Sequence, residues 1–97
     1  VVGVYENDTL VAMGRIVGDK VFKGLLTDII VSPDYQNKGY GKIVVTELLK
    51  LAQENMQDGD LMCIEAAPTN GNIPFYIKCG MKHKPEEQEG VYIWLKK

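Results

Sequence analysis

The feature that most constrains the fold is a glycine-rich corner, residues 31–42 (VSPDYQNKGYGK), which joins an apolar run to a helical pattern. Residues 25–31 (LLTDIIV) are mostly apolar and rich in β-branched side chains, as in a buried strand, and residues 42–57 repeat apolar side chains every three or four positions. The first N–H groups of a helix lack intrahelical partners and carry partial positive charge, so they bind anions. Gly39 and Gly41 let the backbone approach a ligand closely. The corner therefore predicts a phosphate site.

Two familiar nucleotide-binding motifs share such a corner, and both fail here at particular residues. A P-loop requires a glycine five positions before its Gly-Lys pair, but Gln36 is at that position, and Ile43 replaces the Ser or Thr that holds magnesium. A dinucleotide fingerprint requires a third small residue after Gly39-x-Gly41, where this chain has Val44. The predicted phosphate therefore belongs to another class of ligand.

The pattern that remains is Gln36-x-x-Gly39-x-Gly41, preceded by an apolar strand. This pattern resembles the pyrophosphate loop of the GNAT superfamily of acetyl-CoA-dependent N-acetyltransferases. A second stretch, residues 74–81 (PFYIKCGM), is similar to another segment of that family and follows at the expected place. The alternative is an ordinary strand-to-helix turn with chance glycines, and the second stretch argues against it.

The first part of the chain predicts an antiparallel meander. Its strands are expected over residues 1–5, 10–17 and 21–31, with polar turns between them, and Gly24 is a candidate bulge in the third strand. GNAT domains usually carry a first strand and two helices ahead of this meander. The resemblance therefore predicts a single domain over residues 1–97 that lacks those elements.

The second part predicts a parallel, right-handed β-α-β unit, a short helix and a C-terminal hairpin. The expected elements are a helix over residues 42–57, a buried strand over 61–66, a short helix capped by Asn72, and strands over 81–84 and 91–95. Gly59 and Gly80 are the expected helix stops, and Pro74 lies in the first turn of the short helix. Together these elements predict an α/β domain with a mixed sheet, which the resemblance identifies as the GNAT fold.

Composition and charge narrow the class of function. The chain has 97 residues, 45% of them hydrophobic, which suits one globular domain. A net charge of −2 argues against nucleic-acid binding, which needs a basic face. No apolar run approaches a membrane span of roughly 18 residues, and no signal peptide is recognised, so we expect no membrane partner and a cytoplasmic location. Cys63 and Cys79 are expected to be free thiols, and no clustered His and Cys residues predict a metal.

The resemblance implies which residues hold acetyl-CoA. In the family, the strand before the loop separates from its parallel neighbour and pairs its exposed backbone with the pantetheine arm, a role that falls to Ile29, Ile30 and Val31. The loop would bind the pyrophosphate through its N–H groups. The matching loop residues are Gln36, Asn37, Lys38, Gly39, Tyr40, Gly41 and Lys42. Asn70 or Asn72 matches an asparagine that contacts the CoA arm in relatives, with capping as the alternative role.

The resemblance also assigns candidate catalytic residues. Tyr76 matches a tyrosine near the thioester sulfur, where a phenol of pKa about 10 is still a proton donor at neutral pH; the alternative for Tyr76 is packing on the sheet, and the neighbouring Phe75 is expected to be core. An amine must lose a proton before it attacks, and the candidates for this step are Glu65, Asp28 and a water chain without a dedicated residue. The glutamate that protein-lysine acetyltransferases of the superfamily keep would fall near Leu25, which argues against histone-type activity.

These inferences predict an enzyme that moves the acetyl group of acetyl-CoA directly to a primary amine of a small molecule or peptide. One alternative is a non-catalytic regulatory module that binds acetyl-CoA without turnover. Another is an interaction domain whose exposed β edges pair with a second copy, which would form a homodimer. The residues do not specify the acceptor amine.

Overall fold

A computed structural model of the protein describes residues 1–18, 23–68, 72–85 and 90–97. The strands in these residues are β1 (Val2–Glu6), β2 (Thr9–Gly18), β3 (Lys23–Val31), β4 (Leu61–Ala66), β5 (Lys82–His83) and β6 (Val91–Lys96). The α-helices are α1 (Tyr40–Glu54) and α2 (Ile73–Lys78), and a 3-10 turn covers Pro33–Tyr35. The strands form one sheet in the order β1-β2-β3-β4-β6-β5. The predicted α/β domain with a mixed sheet is confirmed.

The sheet combines an antiparallel meander with one parallel pair among the described strands. β1, β2 and β3 pair antiparallel, whereas β3 and β4 pair parallel, and α1 lies between them in the chain. β6 then pairs antiparallel with both β4 and β5. The meander, the β-α-β unit and the C-terminal hairpin are therefore all present as the sequence predicts.

Both helices pack on the same face of the sheet. α1 contributes Val44, Val45, Leu48 and Leu49 to one buried cluster, to which α2 adds Tyr76 and the strands add Leu26, Ile64, Val91 and Leu95. Strand residues that alternate with these point to the opposite face, and there Val17, Leu25, Leu61 and Trp94 are exposed. The core therefore lies between the helices and one face of the sheet.

A β-bulge in β3 lies at Asp28, not at Gly24 as the sequence suggests. Met13 pairs with Ile30 and Arg15 with Thr27, so β3 carries one more residue than β2 between these pairs. Asp28 has a positive φ of 56°. Gly24 pairs in regular register with both β2 and β4. A Cβ on Gly24 would lie only 2.9 Å from Cδ1 of Ile64 in β4. Gly24 is thus required for strand packing, and the prediction of a bulge there is wrong.

Helix α1 begins and ends earlier than predicted. It starts at Tyr40 because Gly39 adopts a left-handed conformation (φ 86°) and is the N-cap residue. It ends at Glu54, and Gly59, with φ 91°, lies in the turn that follows. The predicted buried face is confirmed, because the apolar positions that face the sheet are buried or half-buried.

The C-terminal elements agree with the sequence analysis. Asn72 occupies the N-cap position of α2, but its side chain makes no capping hydrogen bond, so only the position agrees with the prediction. Pro74 lies in the first turn of α2, and Gly80 follows its end with φ 96°. Residues 19–22, Asn70 and the acidic loop residues 86–89 lie outside the described residues, so the predictions that involve them are not addressed. No helix in the described part of the chain is long and apolar enough to cross a membrane.

Candidate active site

The candidate site is a cleft that opens where β3 and β4 stop pairing. Their parallel register ends at Leu26 and Ala66, whereas β3 continues to Val31 along β2. On the side facing away from β2, the backbone of residues 27–31 therefore has no strand partner among the described residues. The cleft beside it has a volume of about 590 Å³. Its lining residues are Ile29, Val31, Tyr35, Gln36, Asn37, Gly39, Tyr40, Gly41, Lys42, Asn72, Phe75, Tyr76, Lys78 and Cys79.

The glycine-rich corner forms one wall of this cleft. Asn37 and Gly39 both have positive φ, 63° and 86°, which turns the chain from the 3-10 segment into α1. The Gln36 side chain donates a hydrogen bond to the Val31 carbonyl at 3.2 Å, fixing the corner to the end of β3. No acidic residue lies in the first turn of α1, all of which is described. The first N–H groups of α1 are therefore an anion-binding arrangement on the cleft wall.

The second glycine of the corner is required by close packing against α2. A Cβ on Gly41 would lie 3.1 Å from the Phe75 ring. Phe75 lines the cleft as well as packing on the core, so its prediction as plain core is incomplete. Through this contact, α2 determines the position of the start of α1.

Tyr76 lies in the cleft wall on the helical side of the sheet. Its residue surface is only 8% exposed, and its ring meets that of Phe75 edge to face with 5.0 Å between centroids. Burial raises the pKa of the Tyr76 phenol above its ordinary value, with a smaller contribution from Cys79. Tyr76 is therefore a neutral hydroxyl that can donate a proton at physiological pH.

The two candidate carboxylates, Glu65 and Asp28, lie on the opposite face of the sheet from Tyr76. Glu65 alternates in β4 with the buried residues of the core cluster, and its oxygens lie 3.0 Å and 3.6 Å from the Nζ atoms of Lys84 and Lys23. The hydrogen bond from Lys84 lowers the pKa of Glu65, although partial burial opposes the shift. Asp28 lies in the bulge and forms an ion pair with Arg15 at 2.9 Å. Neither carboxylate lines the cleft.

Most of the described residues that are predicted to bind acetyl-CoA line the cleft, and two of them, Ile30 and Lys38, do not. The side chain of Ile30 turns to the opposite face, where the residue is 55% exposed, and Ile30 does not line the cleft. The Nζ atom of Lys38 lies 5.4 Å from the centroid of the Tyr35 ring instead of in the lining. Asn72 lines the cleft.

Four lining residues, Tyr35, Phe75, Lys78 and Cys79, are absent from the site that the sequence predicts. Cys79, the C-cap residue of α2, follows Tyr76 by three positions, so helical periodicity from Tyr76 could have identified it. Burial raises the pKa of the Cys79 thiol, and Lys42 partly opposes that shift. Both cysteines are free. Within the described ranges, no three His, Cys, Asp or Glu residues cluster in a way that could hold a metal.

Solved structures of other proteins share this fold. A probable acetyltransferase, SA2161, from meticillin-resistant Staphylococcus aureus is 24% identical, with a TM-score of 0.77 over 94% of this chain and 67% of its own. The Bacillus subtilis N-acetyltransferase YlbP, solved in complex with coenzyme A, is 24% identical, with a TM-score of 0.61 over 98% of this chain and 66% of its own. At this identity, the likeness shows the fold alone.

Curated proteins are also similar in sequence. An uncharacterized N-acetyltransferase, ycf52, of Porphyra purpurea is 27% identical over 92 residues, which are 92% of this chain and 51% of that protein. The glucosamine 6-phosphate N-acetyltransferase of Schizosaccharomyces pombe is 35% identical over 79 residues, 80% of this chain and 67% of that protein. The chain therefore spans between about half and two thirds of the length of these relatives.

A family model also matches the chain directly. The model described as the acetyltransferase (GNAT) family matches residues 1–81. That span contains the bulged strand, the glycine-rich corner, α1 and the Tyr76 helix. This chain therefore belongs to the GNAT acetyltransferase family.

Proposed function

We propose that this chain binds acetyl-CoA in the cleft and transfers the acetyl group to a primary amine. The observation that carries the proposal is the free backbone edge of β3, residues 27–31, beside a cleft that also contains the first turn of a 15-residue helix. An extended pantetheine arm fits such an edge through main-chain hydrogen bonds. A pyrophosphate fits the helix N-terminus.

The residues around the cleft suit this ligand in charge and in space. Gly39 lines the cleft with nothing within 4 Å of an added Cβ, which leaves room for phosphate oxygens to approach the backbone N–H groups. Lys42 and Lys78 place two ammonium groups on the lining, which complements the negative charge of the phosphates. Asn72 adds an amide to the same wall.

Bound acetyl-CoA supplies a thioester carbonyl at which an amine nitrogen forms the new carbon–nitrogen bond, the carbon–sulfur bond breaks, and a proton passes to the sulfur. Tyr76 is the proton donor for that sulfur in our proposal. Its buried phenol keeps its proton at neutral pH, and its position on α2 faces the cleft. Proton donation by a positioned group contributes typically 10²- to 10⁴-fold to a rate.

The amine is proposed to enter from the face of the sheet that carries Asp28 and Glu65, through the fork between β3 and β4. Both carboxylates are ion-paired, Asp28 with Arg15 and Glu65 with Lys84, and an approaching ammonium group would take the place of one of these cations. A carboxylate whose pKa is lowered accepts a proton weakly, so we assign Glu65 to orienting the amine or a water, with water carrying the proton away. Asp28 has the same role from the bulge.

Small-molecule and peptide amines are the proposed acceptor class. By the resemblance, the glutamate that protein-lysine acetyltransferases keep would fall near Leu25, whose register partner on the neighbouring strand and on the same face is Glu65. A carboxylate therefore stands one strand away from that position. One relative is named for glucosamine 6-phosphate and another as a histone acetyltransferase, and both kinds of amine belong in an acceptor screen.

The test is thiol release from acetyl-CoA with a panel of amino sugars, polyamines and peptides. We expect amine-dependent release of free coenzyme A and acetylated product by mass spectrometry. Binding of coenzyme A without release for any amine would support the alternative, a regulatory module without turnover. The names of the relatives, which are transferases, favour turnover.

A further inference from the structure

Tyr40 lies at the point where the anion-binding corner becomes helix α1. The corner residues at the start of α1 are Gly39, Tyr40 and Gly41, and the two glycines have no side chain. The neighbouring side chain of Lys38 is exposed, so it does not anchor the backbone in the core. The Gln36 side chain anchors the other end of the corner, at Val31, so Tyr40 is the side chain placed to anchor the start of α1.

The Tyr40 side chain has two contacts that fix its direction. Its hydroxyl donates a hydrogen bond to the carboxylate of Glu6 in β1. Its ring meets the ring of Tyr35 edge to face, with 5.9 Å between centroids, and the ammonium of Lys38 lies over Tyr35. The hydrogen bond to Glu6 raises the pKa of the Tyr40 phenol, which keeps it a neutral donor. The phenol is thus held between the 3-10 turn and the edge of the sheet.

Glu6 itself does not belong to the cleft. It is the last residue of β1, an edge strand that pairs with β2, and it lies 34 positions from Tyr40 in the chain. It is not among the residues that line the cleft. An effect of Glu6 on ligand binding would therefore have to pass through Tyr40.

We propose that Glu6 is a positioning residue for the coenzyme A site, acting through the Tyr40 hydroxyl to keep the corner backbone in its anion-binding conformation. The inference rests on the proposed function, because the anion is taken to be the pyrophosphate of coenzyme A. A preformed set of N–H donors binds more tightly than one that must be ordered on binding. Edge strand β1 thereby contributes to affinity without touching the ligand.

The test is a double-mutant cycle of Glu6→Ala and Tyr40→Phe, with coenzyme A as the titrated ligand. Each single change is expected to weaken binding roughly three- to tenfold, which is the scale of one lost hydrogen bond. The double variant is expected to bind no more weakly than either single variant, because both changes remove the same hydrogen bond. Glu6→Gln keeps a carbonyl oxygen that accepts the hydrogen bond, so its affinity should return to within about twofold of the parent. The thermal midpoint without ligand should change by less than about 4 °C, since the bond is exposed.

Tyr5→Phe is the matched control, because Tyr5 precedes Glu6 on the same strand and is exposed. It is expected to bind coenzyme A like the parent. Equal binding by the parent, Glu6→Ala and Tyr40→Phe would overturn the inference and leave the proposed function standing, as would additive losses in the double variant. No binding of coenzyme A by the parent chain would overturn both.

Discussion

At the scale of single residues, the sheet separates the proposed proton donor from the two carboxylates of the proposed reaction. Tyr76 is buried among the core residues on the helical side, whereas Glu65 and Asp28 form ion pairs on the other face. The parallel pairing of β3 and β4 ends at Leu26 and Ala66, and beyond it the strands leave the fork proposed for entry of the amine. This arrangement suits a reaction in which thiolate protonation and amine entry occur from opposite directions.

Replacing Tyr76 by phenylalanine should remove the proton donor and preserve the cleft. We expect the turnover number to fall by about a hundredfold or more, with coenzyme A affinity within about twofold of the parent. Because burial raises the pKa of the Tyr76 phenol, the parent should keep its activity up to about pH 9. The measurement is the pH–rate profile beside a titration, and unchanged turnover in Tyr76→Phe would contradict the role.

Lys84 lowers the pKa of Glu65, so Lys84→Met should raise it. If Glu65 must be ionised to orient the amine, the acidic limb of the rate profile will move to higher pH in this variant. The ion pair also contributes to the free energy of unfolding above pH 4.5, the ordinary pKa of the carboxyl, and this contribution is lost as the pH falls. The stability of Lys84→Met should therefore decrease less than that of the parent at acidic pH. An acidic limb that stays in place in Lys84→Met and in Glu65→Gln would exclude Glu65 from the reaction.

At the scale of elements, the bulge in β3 depends on a glycine in the neighbouring strand. A Cβ on Gly14 would lie 2.4 Å from Cδ1 of Ile29 and 2.7 Å from Cγ1 of Val44. The missing side chain lets Ile29, just after the bulge, pack onto α1 and line the cleft. The shape of the free strand edge thus depends on β2 as well as β3.

Gly14→Ala should therefore destabilise the fold by about 1–3 kcal/mol through overpacking. Ile29→Val removes Cδ1, the atom closest to the added methyl group, so the double variant should be more stable than the sum of the two single changes predicts. Urea denaturation of the parent, the two single variants and the double variant measures this coupling. Strict additivity would show that the two residues do not compete for the same space.

How much of the site could be predicted from the sequence depends on how local each part is. The corner and the α2 segment could be predicted because a few neighbouring residues determine them. The bulge at Asp28 could not, since it depends on the register against β2 and on space at Gly14. The separation of Tyr76 from Glu65 likewise depends on the face of the sheet on which α2 packs and on the face to which Glu65 points. The hydrogen bond between Tyr40 and Glu6 joins residues far apart in the chain.

At the scale of the whole molecule, the fold has one covered face and one open face in its described residues. The covered face holds the core and half of the proposed site, and the open face carries Arg15, Asp28, Glu65 and Lys84 beside exposed apolar residues. On both faces of the sheet, some titratable groups have pKa values above their ordinary values. Those groups are Tyr40, Cys63, Tyr76 and Cys79.

Stability should therefore fall in alkaline solution. For the two thiols, burial favours the neutral form, so their contribution is present below the ordinary pKa of 9.0 and is lost as the pH rises through the raised values. We expect the urea midpoint to fall between pH 8 and about pH 10.5, and to fall less in a variant with Cys63→Ser and Cys79→Ser. Equal pH dependence in the parent and this variant would show that the thiols do not contribute.

A titration with coenzyme A of the parent, Gly39→Ala and Gly59→Ala tests most directly whether the corner binds the ligand. Both glycines have a positive φ, 86° and 91°, and nothing lies within 4 Å of an added Cβ, so both variants should lose similar stability, roughly 1–2 kcal/mol. Gly39 lines the cleft and Gly59 does not. We predict binding by the parent and Gly59→Ala, and at least about tenfold weaker binding by Gly39→Ala. Equal affinity in the two variants, or no binding by the parent, would contradict the proposed site.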